Sequence, residues 1–330
     1  MPRDTLRWLI LAGLFVLVAV TLQSGGCGTD SNSHRPNAAQ NATPAVQSKR
    51  KLTGSELGLR IPPVSGEAVV ADRGRLQLIG GLDSAGVSSA AVSELDTATG
   101  RLRQDGSLSQ PLHDAAAGRV GGTTLVFGGG SSTTVDTVQR LTPGGIATNV
   151  GHLPSPASDL SALTIGGQAY VLGGFDGQTT VASVLNTGNG TQLRDVATLP
   201  VPVRYTAAAP LGGSIYAFGG ELADGTDSDV IQRIDPASGK ARVVGHLPQP
   251  LAHSSAIELG GRIFLLGGRE SGAPSNRILR FDAGSSRVIL AGTLPIAVMN
   301  AAAAVTGDAG YLVGGLGAAG TTLPTVIRVR

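Results

Sequence analysis

One cysteine, Cys27, stands in 330 residues, so no intrachain disulfide and no cysteine-rich metal site can form. Tryptophan also occurs once, at Trp8, and aromatic residues make up only 3% of the chain. Charged residues are scarce at 15%. No window beyond residue 51 keeps a sustained apolar period of 3.6, which leaves little room for helices there. Catalytic signatures are missing too: there is no nucleophile elbow, no HExxH, no phosphate loop ahead of a helix and no cysteine pair. His34, His113, His152, His246 and His253 are too scattered for a zinc pattern, so no metal or other cofactor is expected.

The net charge of +2 hides an uneven split. Arg3, Arg7, Arg35, Lys49, Arg50 and Lys51 outnumber Asp4 and Asp30 in residues 1–51, so the remainder is mildly acidic. Nucleic-acid binding, which needs a basic face to neutralise phosphates, is not expected.

Glycine is abundant at 49 residues, and its placement is regular. Short apolar runs end on glycine pairs at Gly80-Gly81, Gly128-Gly129, Gly173-Gly174, Gly219-Gly220, Gly267-Gly268 and Gly314-Gly315. The first glycines of successive pairs are 48, 45, 46, 48 and 47 residues apart, which is the spacing of a repeat architecture. Each unit reads in one order: a Leu-Pro-like turn, a strand of small residues such as Ala207-Ala208-Ala209, a glycine turn, and the strand that ends on the pair. A polar loop, an alternating strand such as Val230–Ile234, a turn, and a fourth strand such as Ala241–Val244 complete it. Small residues suit the innermost strand of a radial array, where larger side chains would collide. An all-β, six-bladed β-propeller is therefore expected over residues 52–330. The last unit stops after three strands, and a strand near 52–61, read at Leu57–Arg60, is expected to supply the fourth and fasten the ring.

The repeats resemble the kelch family. Tyr170, Tyr216, Phe264 and Tyr311 stand three residues before their glycine pairs, where kelch repeats carry an aromatic, and Arg204-Tyr205-Thr206-Ala207 is similar to the start of the kelch unit. The late tryptophan of that family is absent from every copy; Val150, Val196 and Val244 are expected to pack in its place. Some members of this fold are copper oxidases with a Tyr–Cys crosslink, a centre that a domain without cysteine cannot build.

Ahead of the repeats, Arg3 and Arg7 precede an apolar run from Trp8 to Leu22, and Gly25-Gly26-Cys27 follows. Residues 1–27 read as a signal anchor or as a lipoprotein signal with Cys27 lipidated, with free secretion as a third outcome. Residues 28–51 read as a flexible polar linker. Either anchor places the repeat domain on the extracytoplasmic side of a cell membrane. Asn189-Gly190-Thr191 fits a glycosylation sequon but reads as a turn.

The candidate site comes from aligning the units. Two residues before each small-residue run stand Glu67, Asp114, Asp159, Tyr205, His253 and Asn300, all polar although the strand they enter is apolar. They are expected to converge on the mouth of the central channel, with Arg204 in the preceding ring. The loops Glu221–Asp227 and Arg269–Ser275 are the expected protein-contact surface. The expected function is a monomeric, non-catalytic scaffold for a protein or glycan ligand. The alternative is a carbohydrate-active enzyme of mutarotase, epimerase or sialidase-like type that uses the mouth for acid–base work.

Overall fold

The computed structural model describes residues 52–330. The apolar run, Cys27 and the linker to residue 51 lie outside the described residues. Among those described, no helix is long and apolar enough to cross a membrane.

The chain is all-β and built from small antiparallel sheets. One sheet shows the design. Ala207–Leu211 pairs with Ser214–Phe218, which pairs with Val230–Asp235, which pairs with Lys240–His246. Alternation in Val230–Asp235 puts Ile231 and Ile234 on opposite faces, Ile231 buried against the following sheet and Ile234 against the preceding one. The last hairpin is closed by Asp235, whose Oδ1 accepts the amides of Ala237 at 3.1 Å and Ser238 at 3.3 Å; such Asx turns reverse the chain locally.

Neighbouring sheets share their cores. Tyr216, Phe218 and Ile231 of this sheet pack with Ile263, Leu265, Leu279 and Phe281 of the next. Tyr216 and Phe281 lie 5.0 Å apart, and Phe218 meets Phe281 edge-on at 5.1 Å. Aromatic and aliphatic contacts of this kind, rather than a tryptophan, fill the wedge between sheets.

The glycine pairs join one sheet to the next. Gly219 donates to Val230 within its own sheet, and Gly220 donates to the carbonyl of Leu251, which leads into the following sheet. Gly219 has φ +57°, and a Cβ there would run into the Leu251 carbonyl oxygen, so only glycine fits.

The two ends of the described chain pair with each other. Leu52–Glu56 lies antiparallel to Val326–Val329, with Gly54 opposite Val329, and parallel to Arg287–Val298, with Leu52 opposite Gly292. The strand therefore begins five residues earlier than the expected Leu57–Arg60, which instead runs on as a connection held by Leu57 N–H to Val326 O at 2.9 Å. Gly54 lies at this crossing, where a Cβ would come within 3.1 Å of Pro295 and 3.3 Å of Ile327.

Candidate functional site

Backbone geometry builds the site before any side chain does. The amide of Asp114 donates to the carbonyl of Gly66, Asp159 to Asp114, Tyr205 to Asp159, His253 to Tyr205, Asn300 to His253, and Gly66 back to Asn300. These bonds of 2.7–3.1 Å close a ring around the axis at the entry to the innermost strands. Asp114, Asp159, Tyr205, His253 and Asn300 all take left-handed φ values between 49° and 59°. That conformation costs a non-glycine residue roughly 1–2 kcal/mol, and such strain marks positions held for a purpose.

The ring corrects the alignment in its first unit. Gly66, with φ +61°, occupies the place expected for Glu67. Ser65, not Gly66, is then the counterpart of His113, Ser158, Arg204, Ala252 and Met299, as its bridge to Leu82 shows. Glu67 falls one step deeper, and its displaced side chain is buried at 6% exposure with neither carboxyl oxygen hydrogen-bonded.

All six expected mouth residues nevertheless line one cavity of about 170 Å³. Beyond it the innermost strands enclose a second cavity of about 320 Å³, lined by Val69, Ala208, Pro210, Ala303 and their neighbours.

A hydrogen-bond chain crosses the mouth. Tyr205 Oη donates to Asp114 Oδ2 at 3.1 Å, and Asn300 Nδ2 donates to Asp114 Oδ1 at 3.5 Å. With its amide so oriented, Asn300 offers Oδ1 to His253 Nδ1 at 3.3 Å, which assigns the His253 proton to Nδ1. The imidazole stacks on the Tyr205 ring with centroids 3.9 Å apart. Its Nε2 is left without a hydrogen bond, 3.7 Å from Glu221 Oε2.

A rim of ion pairs surrounds this chain. Arg204 bonds Glu221 through Nε at 2.9 Å and reaches Asp159 at 3.4 Å, with its guanidinium over the Phe175 ring. Arg269 binds Glu221 and, at 3.1 Å through Nε, Asp227. Glu221, Asp227 and Arg269, from the loops expected to form a protein-contact surface, make up this rim. Glu221 and Arg269 directly follow glycine pairs, and the bridges Arg204–Glu221 and Ala252–Arg269 fold those positions back beside the ring.

Burial and charge set the protonation states. Burial holds Glu67 well above the usual carboxylate range, and the nearby charge of Asp114 adds to the effect. Asp114 is pushed up to about 7, by burial first and by the charge of Asp159 second. Burial also raises Asp159. Tyr205 is raised by burial and then by Asp114 and Asp159, so it stays a phenol and a donor. Burial and Arg269 lower His253, keeping it neutral. Burial works against the Glu221 carboxylate, but hydrogen bonds from Arg269 and Arg204 outweigh it and hold Glu221 low. The mouth therefore combines buried carboxyls held above the usual range, a phenol, a neutral imidazole, an amide and a fixed ionic rim.

Among the described residues no three His, Cys, Asp or Glu side chains are placed to hold a metal ion. His152 and His246, at equivalent places in their units, each meet an aspartate, Asp136 at 3.1 Å and Asp229 at 3.0 Å, on outer strands that do not line the cavity.

No family model and no curated protein matches the chain. Among solved structures, that of YjhT is similar, with a TM-score of 0.71, covering 82% of this chain and 99% of that one at 15% identity. At that identity the likeness shows the fold: an all-β, propeller-like array of small sheets.

Proposed function

We propose that this chain is a six-bladed, kelch-like β-propeller that binds a protein or glycan ligand at its polar mouth, without catalysis, while its N-terminal segment tethers it outside a cell membrane. The observation that carries the reading is the ring itself. Five non-glycine residues hold left-handed backbone conformations, and their side chains line one small cavity. A purely structural ring would be served by glycine, as Gly66 serves in the first unit. The cavity has room for one compact group, a side chain or part of a sugar, and offers it both donors and acceptors.

A second reading has an observation of its own. Asp114, raised to about 7 and bonded by the Tyr205 phenol, is suited to exchange protons at neutral pH, as an acid–base enzyme acting on a carbohydrate would require. One experiment separates the two: Asp114→Asn combined with His253→Ala, tested on a glycan panel for retention and for turnover. Loss of retention with no turnover by the parent chain supports the scaffold. Turnover by the parent chain, lost in the variant, supports the enzyme. Unchanged retention would show that the mouth is not the site.

A further inference from the structure

The strand register gives every sheet two distinct ends. Ala207, Phe218, Val230 and His246 lie at the mouth end of one sheet, and Leu211, Ser214, Asp235 and Lys240 lie at the end with the hairpin turns. In the sheet that closes the chain, Thr53 and Arg330 exchange backbone hydrogen bonds of 2.9 and 3.1 Å at the turn end. Leu52, the first described residue, therefore lies at the turn end, opposite the mouth.

Charge follows the same division. The mouth end carries Asp83, Asp136, Asp176, Asp224 and Asp229 on its loops, and its bases Arg204, Arg269 and Arg277 are all paired with acids. The turn ends of the two sheets that precede the closing sheet carry Arg233, Lys240, Arg242, Arg262, Arg280 and Arg287, none of which makes a salt bridge with a described residue. Of the three acids there, Asp235, Glu258 and Asp282 accept amides of their own turns. Beside these bases stand three of the large apolar side chains the fold leaves in solvent: Val243 at 41%, Ile289 at 48% and Leu290 at 56% exposure. Leu290 is two residues from Gly292, the partner of Leu52.

We infer that this basic and apolar turn face docks on the anionic lipid surface of the bilayer that anchors the chain, so that the mouth points away from the membrane. The inference rests on the tethered reading above. Arginine and lysine gather at anionic headgroups while isolated aliphatic side chains enter the interface. The length of chain outside the described residues fits this occupant. Residues 28–51, expected from their composition to form a polar linker, would then have a root-mean-square reach of roughly 27 Å, which would hold the turn face within contact distance of the bilayer and raise its effective concentration there. Lys49, Arg50 and Lys51, which lead directly into Leu52, add charge of the same sign.

The test uses the full chain reconstituted through its own N-terminal segment into phosphatidylcholine vesicles, with and without phosphatidylserine. A donor fluorophore is placed at Ala237 on the turn face or at Ser132 on the mouth face, both exposed, and energy transfer to a lipid-bound acceptor is measured. Transfer from Ala237 is expected to rise with phosphatidylserine and to fall with salt, while transfer from Ser132 stays low. Each base neutralised should weaken the approach about fivefold. Arg242→Glu with Arg280→Glu and Arg287→Glu should therefore abolish the rise, and the corresponding Arg→Lys changes should keep it. Leu290→Ser, at an exposed site that does not threaten folding, should weaken it alone.

Transfer that ignores lipid charge, or is equal from both faces, overturns the docking and leaves the tether standing. A chain that does not float with vesicles of either composition overturns both. Retention on a soluble anionic polysaccharide with no approach to the phosphatidylserine vesicles also overturns the docking.

Discussion

The phenol ring of Tyr205 lies stacked on the imidazole of His253, with centroids 3.9 Å apart and planes inclined by 27°. The two residues come from adjacent sheets and are neighbours in the backbone ring, where the amide of His253 donates to the carbonyl of Tyr205. Their contact ties the strained backbone to the chemistry of the mouth, because both side chains reach Asp114, one directly and one through Asn300.

The contribution of Asp114 and Glu67 to stability should fall as pH rises from the acid range to neutrality, while the lowered His113 and His253 contribute with the opposite sign. Asp114 and Glu67 bind protons more tightly folded than unfolded, so their contribution is fully present below the unfolded values near 4. It is lost as pH climbs toward about 7 for Asp114 and through the raised pKa of Glu67. The loss should amount to a few kcal/mol. Thermal unfolding of the parent chain between pH 4 and 8 should show it, and Glu67→Gln with Asp114→Asn should flatten the profile. A parent-minus-variant difference in stability that grows toward neutrality would refute the assignment.

Removing the phenol of Tyr205 should push Asp114 further up. The Tyr205 hydroxyl donates to the ionised carboxylate and so favours it. Tyr205→Phe removes a hydrogen bond to a charged group, which shifts the titration upward by about one unit. Carboxyl carbon NMR of Asp114 would read the midpoint directly.

Two glycine substitutions should differ sharply. Gly219→Ala forces a Cβ onto the Leu251 carbonyl oxygen at positive φ, and should cost several kcal/mol or prevent folding. Gly212 also has positive φ, +58°, but a Cβ there meets nothing within 4 Å. Gly212→Ala should cost only about 1 kcal/mol. Denaturant unfolding of both variants makes the comparison.

Deleting residues 52–62 should lower the melting temperature steeply and broaden the transition. That segment supplies the strand joining Val326–Val329 to Arg287–Val298, and without it both carry an unpaired edge. Cooperative unfolding at the parent temperature would show that the strand is dispensable.

The regular glycine pairs, the alternating short strands and the turn chemistry made an all-β array of small sheets legible in the sequence, because each is a local signal with a period of its own. Polar residues at the strand entries likewise pointed to the mouth. What alignment could not see was register. Gly66 and Glu67 differ by one position, and nothing local says which of them takes the left-handed place. The start of the closing strand was misplaced for a related reason: Leu57–Arg60 alternates as well as Leu52–Glu56 does, and only pairing with Val326–Val329 and Arg287–Val298 decides between them.

The sequence by itself determined which residue types recur, at what spacing, and hence that the chain folds into repeated β-units with small residues innermost. The tertiary structure decided which atoms meet. It joined Arg204, Glu221 and Arg269 into one rim, left the Glu67 carboxyl buried without a partner, and sorted charge between the two ends of the sheets. The physical reason is that these outcomes depend on hydrogen bonds and burial between residues of different repeats, such as Arg204 beside Asp159 and Asn300 beside Asp114, which no local pattern encodes.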